Sequence, residues 1–419
     1  MKRSRTTLIA ISLLLICAIT LNITGCMTVS AENLMDGVTP ERVSVTADLD
    51  GGNAALADFA VRLFRASVTD GKNTLISPLS VMCALAMTMN GAEGETLAEM
   101  EATLGMTKDE VNAYLYTYIN ALAQGEKYKL SVANSIWFTS DEKFSVNQSF
   151  LQTNANYYSA DIYKAPFDRT TLRDINLWVK ERTDGMIPKI LDDIPDSAVM
   201  YLVNALAFEA EWASVYEKNQ VRDGVFTTED GKTQNVKMMY DTVGRYLEDE
   251  YATGFIRYYS GAKYAFVALL PNEDVSVSEY ISTLDGESLY SMLSTPNYQT
   301  VVTSLPKFES EYSQEMSDIL ESLGMTSAFD PKTADFSELG SSAEGNVFIS
   351  RILHKTYISV GEKGTRAGAA TVIEMDGAAA PDSPEEIKYV YLDRPFVYML
   401  IDCETNTPFF IGTTMSVAN

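Results

Sequence analysis

The sequence predicts a single α+β domain. Helical periodicities concentrate early in the chain and strand signals late. They are mixed rather than alternating, which argues against a doubly wound βαβ sheet. No internal repeat and no composition break divides residues 53–419, so one large core is expected. The composition over 419 residues, 46% hydrophobic and 21% charged, is that of an ordinary globular protein.

Composition also removes several function classes. A formal net charge of −25 gives a soluble, self-repelling surface and argues against nucleic-acid binding. The single histidine is His354, and the cysteines are Cys17, Cys26, Cys83 and Cys403, with no CxxC or HExxH spacing. A zinc site of the usual His/Cys kind has too few ligands, and no cofactor is expected. A Ser-His-Asp triad would have to use His354.

Taken in order, the chain opens with Lys2, Arg3 and Arg5 before a short apolar run at 8–19, the pattern of a signal peptide. The run ends in Leu21-Asn22-Ile23-Thr24-Gly25-Cys26, which resembles a bacterial lipobox. That reading makes 1–25 a lipoprotein signal peptide and Cys26 a lipidated residue. The mature protein would be lipid-anchored on the extracellular side of a bacterial membrane. The alternative is plain secretion with an incidental cysteine. Residues 26–52 are polar and without a sustained period, and read as a tether. Cys83 and Cys403 sit in apolar stretches and read as buried free thiols.

The domain is expected to begin near Asn53. Leu56, Phe59, Ala60, Leu63 and Phe64 have helical spacing. Ser77 is a natural helix cap and Pro78 suits the first helical position. The helix that follows is apolar on every side through Met87, so it should be buried all round. Asn90-Gly91 ends it. Amphipathic helices are expected near 96–104 and 109–124, a strand at 129–138, and a helix through Ile175–Val179 that ends at Asp184-Gly185. Residues 199–208 form a nearly continuous apolar run around Asn204, the pattern of a central strand. Asp230-Gly231 marks a hairpin. Strands are expected at 252–259 and 263–270, and a helix near 312–323 from Met316, Ile319, Leu320 and Leu323. A long strand is expected at 347–360, and a final core hairpin at 395–401 and 408–412.

Between the last two of these signals, the stretch from Glu362 to Pro381 is built of Gly, Ala, Thr and Pro. A segment beyond about 15 residues without structure of its own is uncommon in a compact domain. This one carries a period of two. Thr365, Ala367, Ala369, Thr371, Ile373 and Met375 share one parity; Arg366, Glu374 and Asp376 fall on the other. Such alternation belongs to a strand buried on one face. The segment therefore reads as an exposed loop that could also serve as a strand; the plain alternative is a linker.

The remaining motifs settle which reading the rest of the chain favours. In order they are Asn73…Ser77-Pro78…Ser80, Asn90-Gly91-Ala92-Glu93-Gly94-Glu95-Thr96, Ile175-Asn176…Trp178-Val179…Thr183-Asp184-Gly185 and Leu202-Val203-Asn204-Ala205…Phe208…Trp212. Then come Val236-Lys237-Met238-Met239, Leu305-Pro306-Lys307-Phe308, His354, Glu362-Lys363-Gly364-Thr365, Arg394-Pro395-Phe396 and Phe410-Ile411-Gly412. In this order the chain resembles a serpin, a serine protease inhibitor, over nearly all of 53–419.

The resemblance implies a serpin fold with three β-sheets, about nine helices and an exposed reactive loop at 362–394. It implies a monomer that is not an enzyme. A serine protease would attack the loop, become acylated, and be carried off covalently as the freed loop inserts as a strand. It implies a hinge at Glu362, Gly364, Thr365, Ala367, Ala369, Ala370 and Thr371. It places Ser77, Ser80, Asn204 and His354 in the polar shutter beneath the opening of the large sheet, and Trp212, Lys307 and Glu362 in the breach where insertion begins. From the residues alone, His354 also reads as a satisfied core histidine, and Lys307 and Glu362 as ordinary surface charges. The family's spacing from Glu362 puts the scissile bond at Ala378–Ala379, whose small side chains suit an elastase-like pocket. Three features depart from the family pattern: Arg366 stands where glutamate is common, Gly368 interrupts the alanine run, and Ala379 to Arg394 is longer than usual, with Pro381 and Pro384 inside. A non-inhibitory serpin and a cross-class inhibitor of cysteine proteases are the alternatives.

Overall fold

The computed structural model describes residues 29–140, 144–195, 198–343, 345–365 and 386–418. Among them are nine α-helices and sheets of seven, six, four and two strands. None of the described helices is long and apolar enough to cross a membrane.

The core is assembled from elements that the sequence specifies locally. In the Leu49–Ser67 helix, Asp48 accepts a hydrogen bond from the Gly51 N–H, and Leu56, Phe59, Leu63 and Phe64 are fully buried. The Pro78–Met89 helix is buried along its whole length, as its all-round apolar sequence demands. It lies between the seven-stranded sheet and the six-stranded sheet that contains the Phe396–Asp402 and Thr407–Thr414 hairpin.

The seven-stranded sheet runs in the order Glu32–Asn33, Asp161–Ala165, Tyr128–Thr139, Met200–Glu211, Gly364–Thr365, Arg351–Gly361, Phe308–Glu315. Its inner face packs Leu202, Leu206, Phe208, Ile352, Ile358 and Val360 into the main core. Its outer face carries Trp137, Tyr201, Val203 and Leu353, covered by Ile175, Trp178 and Val179 of the Arg169–Arg182 helix. Both faces of Met200–Glu211 are thus covered, which is why its run is apolar without alternation.

Three expectations change. Residues 29–52 are not a tether: Glu32–Asn33 adds to the sheet edge against Tyr163 and Lys164, and the helix already starts at Leu49. Ser30 and Ala31 N–H groups and the Ser30 hydroxyl all donate to the buried Asp174 carboxylate, at 2.8, 3.0 and 2.6 Å. These contacts join Val29, Ala31, Leu34, Met35 and Val38, which pack at the core margin at irregular spacing, so no sustained hydrophobic period betrays the segment. The helix expected near 312–323 is only Ser317–Ser322, because Phe308–Glu315 pairs with Leu353–Val360 as an edge strand. The strand expected from 347 begins at Arg351; Ser350 instead uses its Oγ to accept from the Val199 N–H at 2.9 Å. As expected, Ile175–Val179 lies in a helix, which it continues from Arg169, where Asp168 caps it.

Cys83 and Cys403 are free, the first buried and the second half-buried. Burial pushes both thiols up to about 12, so neither is a ready nucleophile.

Candidate functional site at the seam of the large sheet

The strands Met200–Glu211 and Arg351–Gly361 are neighbours without a continuous ladder. At one end Tyr201–Asn204 pairs in parallel with Arg351–His354. At the other, Gly364 and Thr365 lie between them, antiparallel to Glu211 and Ala210 on one side and to Gly361 and Val360 on the other. Among the described residues no ladder joins 205–209 to 355–359. The unladdered edges between these two ends are the backbone an additional strand could pair with, as Gly364 and Thr365 already do.

The closed end of the seam is polar underneath. Asn134, Asn204, His354 and Gln314 form a row across four strands, partnered in register. His354 is 2% exposed and its Nε2 accepts from the Ser77 backbone N–H at 3.1 Å. The imidazole is therefore neutral with its proton on Nδ1, and burial lowers its pKa to about 4. Ser77 Oγ in turn accepts from the Ser80 N–H at 3.3 Å as the helix cap, and the Ser80 hydroxyl donates to Asn134 Oδ1 at a long 3.5 Å. The two serines and the histidine that the sequence singled out are therefore one cluster. The histidine is spent on a backbone N–H rather than on a serine hydroxyl. Asn204 adjoins them, fully buried. Among the described residues neither its amide nitrogen nor its amide oxygen has a partner, and His354 Nδ1 has none either. Buried polar atoms of this kind cost roughly 1–3 kcal/mol each, so the closed arrangement is not the best these groups could have.

The open end is held by main-chain and aromatic contacts. The Trp212 and Tyr216 N–H groups donate to the carbonyls of Lys363 and Glu362, at 2.9 and 3.0 Å. The Trp212 indole N–H donates to the Gly361 carbonyl at 2.8 Å. Lys307 Nζ lies 2.8 Å from the Glu362 carboxylate. Partial burial pushes the Glu362 carboxyl up, but the Lys307 hydrogen bond and charge outweigh it, leaving its pKa below the usual value. Both side chains are 37% exposed, so the pair contributes little to stability on its own. Thr365 is 1% exposed on the inner face, with its Oγ1 2.5 Å from the Tyr259 hydroxyl.

Trp212, Lys307, Glu362, Gly364 and Thr365 thus meet at one place. Ala367, Ala369, Ala370, Thr371, Ala378, Ala379 and Cys26 lie outside the described residues. Three residues here were missed by sequence reasoning. Tyr259 bonds Thr365 and stacks on Trp212 at 4.4 Å between centroids. Arg257, 4% exposed, lies over the rings of Trp212 and Tyr216 at 5.1 and 4.0 Å and pairs with Asp241. Asn134 joins the polar row. An arginine on the same parity as Phe255 and Tyr259 in an expected strand was the one hint in the sequence, and it did not name a partner.

Comparison with known proteins agrees with this architecture. A family model described as serpin (serine protease inhibitor) matches residues 54–417. An uncharacterized serpin-like protein of Thermococcus kodakarensis is 29% identical over 371 residues, 86% of this chain and 85% of its own length. Serpin B8 of Bos taurus is 30% identical over 353 residues, 81% of this chain and 92% of its own. The crystal structure of the thermophilic serpin tengpin in the native state is 49% identical, with a TM-score of 0.87 over 92% of this chain and 99% of that one. Its latent-state structure gives a TM-score of 0.78 at 45% identity, over 90% of this chain and 100% of that one. With sheet order, seam and family match in agreement, the chain belongs to the serpin family.

Proposed function

We propose that this serpin is inhibitory: a suicide substrate for elastase-like serine proteases, cut at Ala378–Ala379. In this reading the acylated protease is trapped covalently as the loop enters the seam. One observation carries the proposal. Thr365, the first residue of the alternating segment, is already seated between the two strands that would receive the loop, with its side chain on the inner face. Continuing its parity puts Ala367, Ala369 and Thr371 beneath the sheet and Arg366 and Glu374 above it. Serpin loop insertion is itself a known instance of strand addition and of stored strain. Anchoring through a lipid on Cys26, outside a bacterial cell, belongs to the same proposal and rests on the lipobox-like sequence alone.

The test is to mix the mature protein with pancreatic elastase, run denaturing electrophoresis, and sequence the released peptide by mass spectrometry. A denaturant-stable complex near the summed masses, with a peptide starting at Ala379, is expected. Cleavage with neither a complex nor a rise in thermal stability would overturn the inhibitory reading. Globomycin-sensitive processing and a diacylglycerol mass increment on Cys26 would test the anchor.

A further inference from the structure

We propose that Arg257 is a positioning residue for loop insertion: its guanidinium ties the three larger sheets together beside the point where Gly364 and Thr365 enter the seam, and so fixes the start of the inserting strand. This rests on the inhibitory reading above and assigns a further residue to the same step.

Three sheets meet at this side chain. Arg257 lies in Ala252–Tyr258 of the six-stranded sheet and is 4% exposed. Its Nη1 donates to the carboxylate of Asp241, in Thr233–Val243 of the four-stranded sheet. Its Nη2 donates at 2.5 Å to the carbonyl of Ser214, just beyond Met200–Glu211 of the seven-stranded sheet. The same guanidinium covers the rings of Tyr216 and Trp212, 4.0 and 5.1 Å from their centroids.

Stability alone does not call for a charge there. A buried ion pair is commonly matched or bettered by apolar side chains of similar volume. This one is also incompletely satisfied: among the described residues neither Arg257 Nε nor the Tyr216 hydroxyl has a partner. What the guanidinium supplies that an apolar residue would not is direction. Its planar fork reaches acceptors on two other sheets at once, and one of them is main chain of the segment 212–216.

That segment holds the root of the loop. The Trp212 and Tyr216 N–H groups donate to the Lys363 and Glu362 carbonyls at 2.9 and 3.0 Å, and in sequence they flank the carbonyl that Arg257 grips. The next residues of the arginine's own strand complete the frame. The Ala213 N–H donates to the Tyr258 carbonyl at 3.1 Å, and the Tyr259 hydroxyl lies 2.5 Å from Thr365 Oγ1. With 362 and 363 fixed, Gly364 and Thr365 are paired in the seam before any cut. Bringing a free segment to a fixed site costs loop-closure entropy. Here the first two residues are already in place, so insertion begins by extension.

The start matters because insertion races hydrolysis. In the inhibitory reading the protease serine oxygen bonds the Ala378 carbonyl carbon, and the Ala379 amine leaves with the serine's proton. Water attacking that ester regenerates the enzyme and leaves an Ala378 carboxylate. Slower insertion therefore shifts the outcome from complex to released, cleaved serpin, with the rate of cutting unchanged.

The experiment compares the mature wild type with Arg257→Met, which keeps an apolar stem and removes the fork, and with Asp241→Asn, a near-isosteric change at a side chain 19% exposed. Pancreatic elastase should cut all three at the same rate. The ratio of released, cleaved serpin to covalent complex should rise about tenfold in Arg257→Met, equivalent to about 1.4 kcal/mol in the insertion barrier, and by a smaller factor in Asp241→Asn. Hydrogen exchange in the uncut protein should quicken at the Trp212 and Tyr216 amides. A ratio within about twofold of wild type in both variants would overturn the proposal, even with a lowered unfolding temperature, since Arg257 would then be ordinary packing. If the wild type is cut without forming complex, the inhibitory reading fails separately. The clamp is then decided by exchange: faster exchange in Arg257→Met keeps it, and unchanged exchange overturns it.

Discussion

His354 is neutral and buried, and that has a sign. Its pKa is lowered from 6.5 to about 4, so between those values the unfolded chain binds a proton that the folded protein does not. Stability therefore rises with pH through that window, and the contribution is lost as pH falls from 6.5 toward 4. The full difference is about 3 kcal/mol. His354→Gln keeps an acceptor for the Ser77 N–H but removes the titration. The gap between wild type and variant in urea unfolding should be constant above pH 7 and should shift in favour of the variant toward pH 4. A parallel pH dependence in both proteins would remove His354 as the cause. Gly364 makes a second residue-level case. Its φ is +150°, and a Cβ there would meet the Ala210 carbonyl oxygen at 1.9 Å. Gly364→Ala should unseat Thr365 and destabilise the uncut protein by about 1–3 kcal/mol, read by denaturant unfolding. Gly364, Ser77 and His354 were legible from motifs, because each does something few residue types can do. Arg257, Tyr259 and Asn134 were not, because their roles exist only once strands distant in sequence lie side by side.

At the level of elements, legibility followed apolar pattern. The buried Pro78–Met89 helix, the Met200–Glu211 strand and the terminal hairpin were readable because burial on one or both faces writes a period into the sequence. Phe308–Glu315 is an edge strand with Glu309, Glu311, Ser313 and Glu315 on its wet face, and its pattern gave way to the helical spacing of Met316, Ile319 and Leu320 beyond it. Residues 29–38 left no pattern at all. Their attachment combines Val29, Ala31, Leu34, Met35 and Val38 packed at the core margin with hydrogen bonds, three of them to Asp174, which is buried in the helix covering the outer face of the large sheet. Removing residues 29–38 strips that carboxylate of its backbone donors and leaves, among the described residues, only the exposed Arg173 beside it. A buried carboxylate so stripped costs several kcal/mol. Hydrogen exchange should accelerate in Arg169–Arg182 and Asp161–Ala165 of the truncated protein while the Phe396–Asp402 strand stays protected. Unchanged exchange in that helix would show the segment to be a passive appendage.

For the molecule as a whole, the question is whether one seam can supply the energy for trapping a protease. Residues 365–375 extended reach roughly 36 Å at about 3.3 Å each, enough to run the length of a large sheet. Each new backbone hydrogen bond nets about 1 kcal/mol. A dozen of them, with burial of one face, approach the 5–15 kcal/mol that holds a typical domain together. Proteolysis of the loop should therefore raise, not lower, the unfolding temperature. The gain depends on the inner-face residues being small and uncharged, starting from Thr365, which is already 1% exposed. Thr365→Arg would have to bury an unpaired guanidinium, at a cost of several kcal/mol, before any later residue could pair. The scissile bond is untouched by that change. Elastase should thus cut the variant at the wild-type rate, yet leave no denaturant-stable complex and only a small or absent rise in unfolding temperature on calorimetry. If the variant instead forms complex as wild type does, Thr365 does not enter the seam first, and the parity argument that ties this loop to the sheet fails with it.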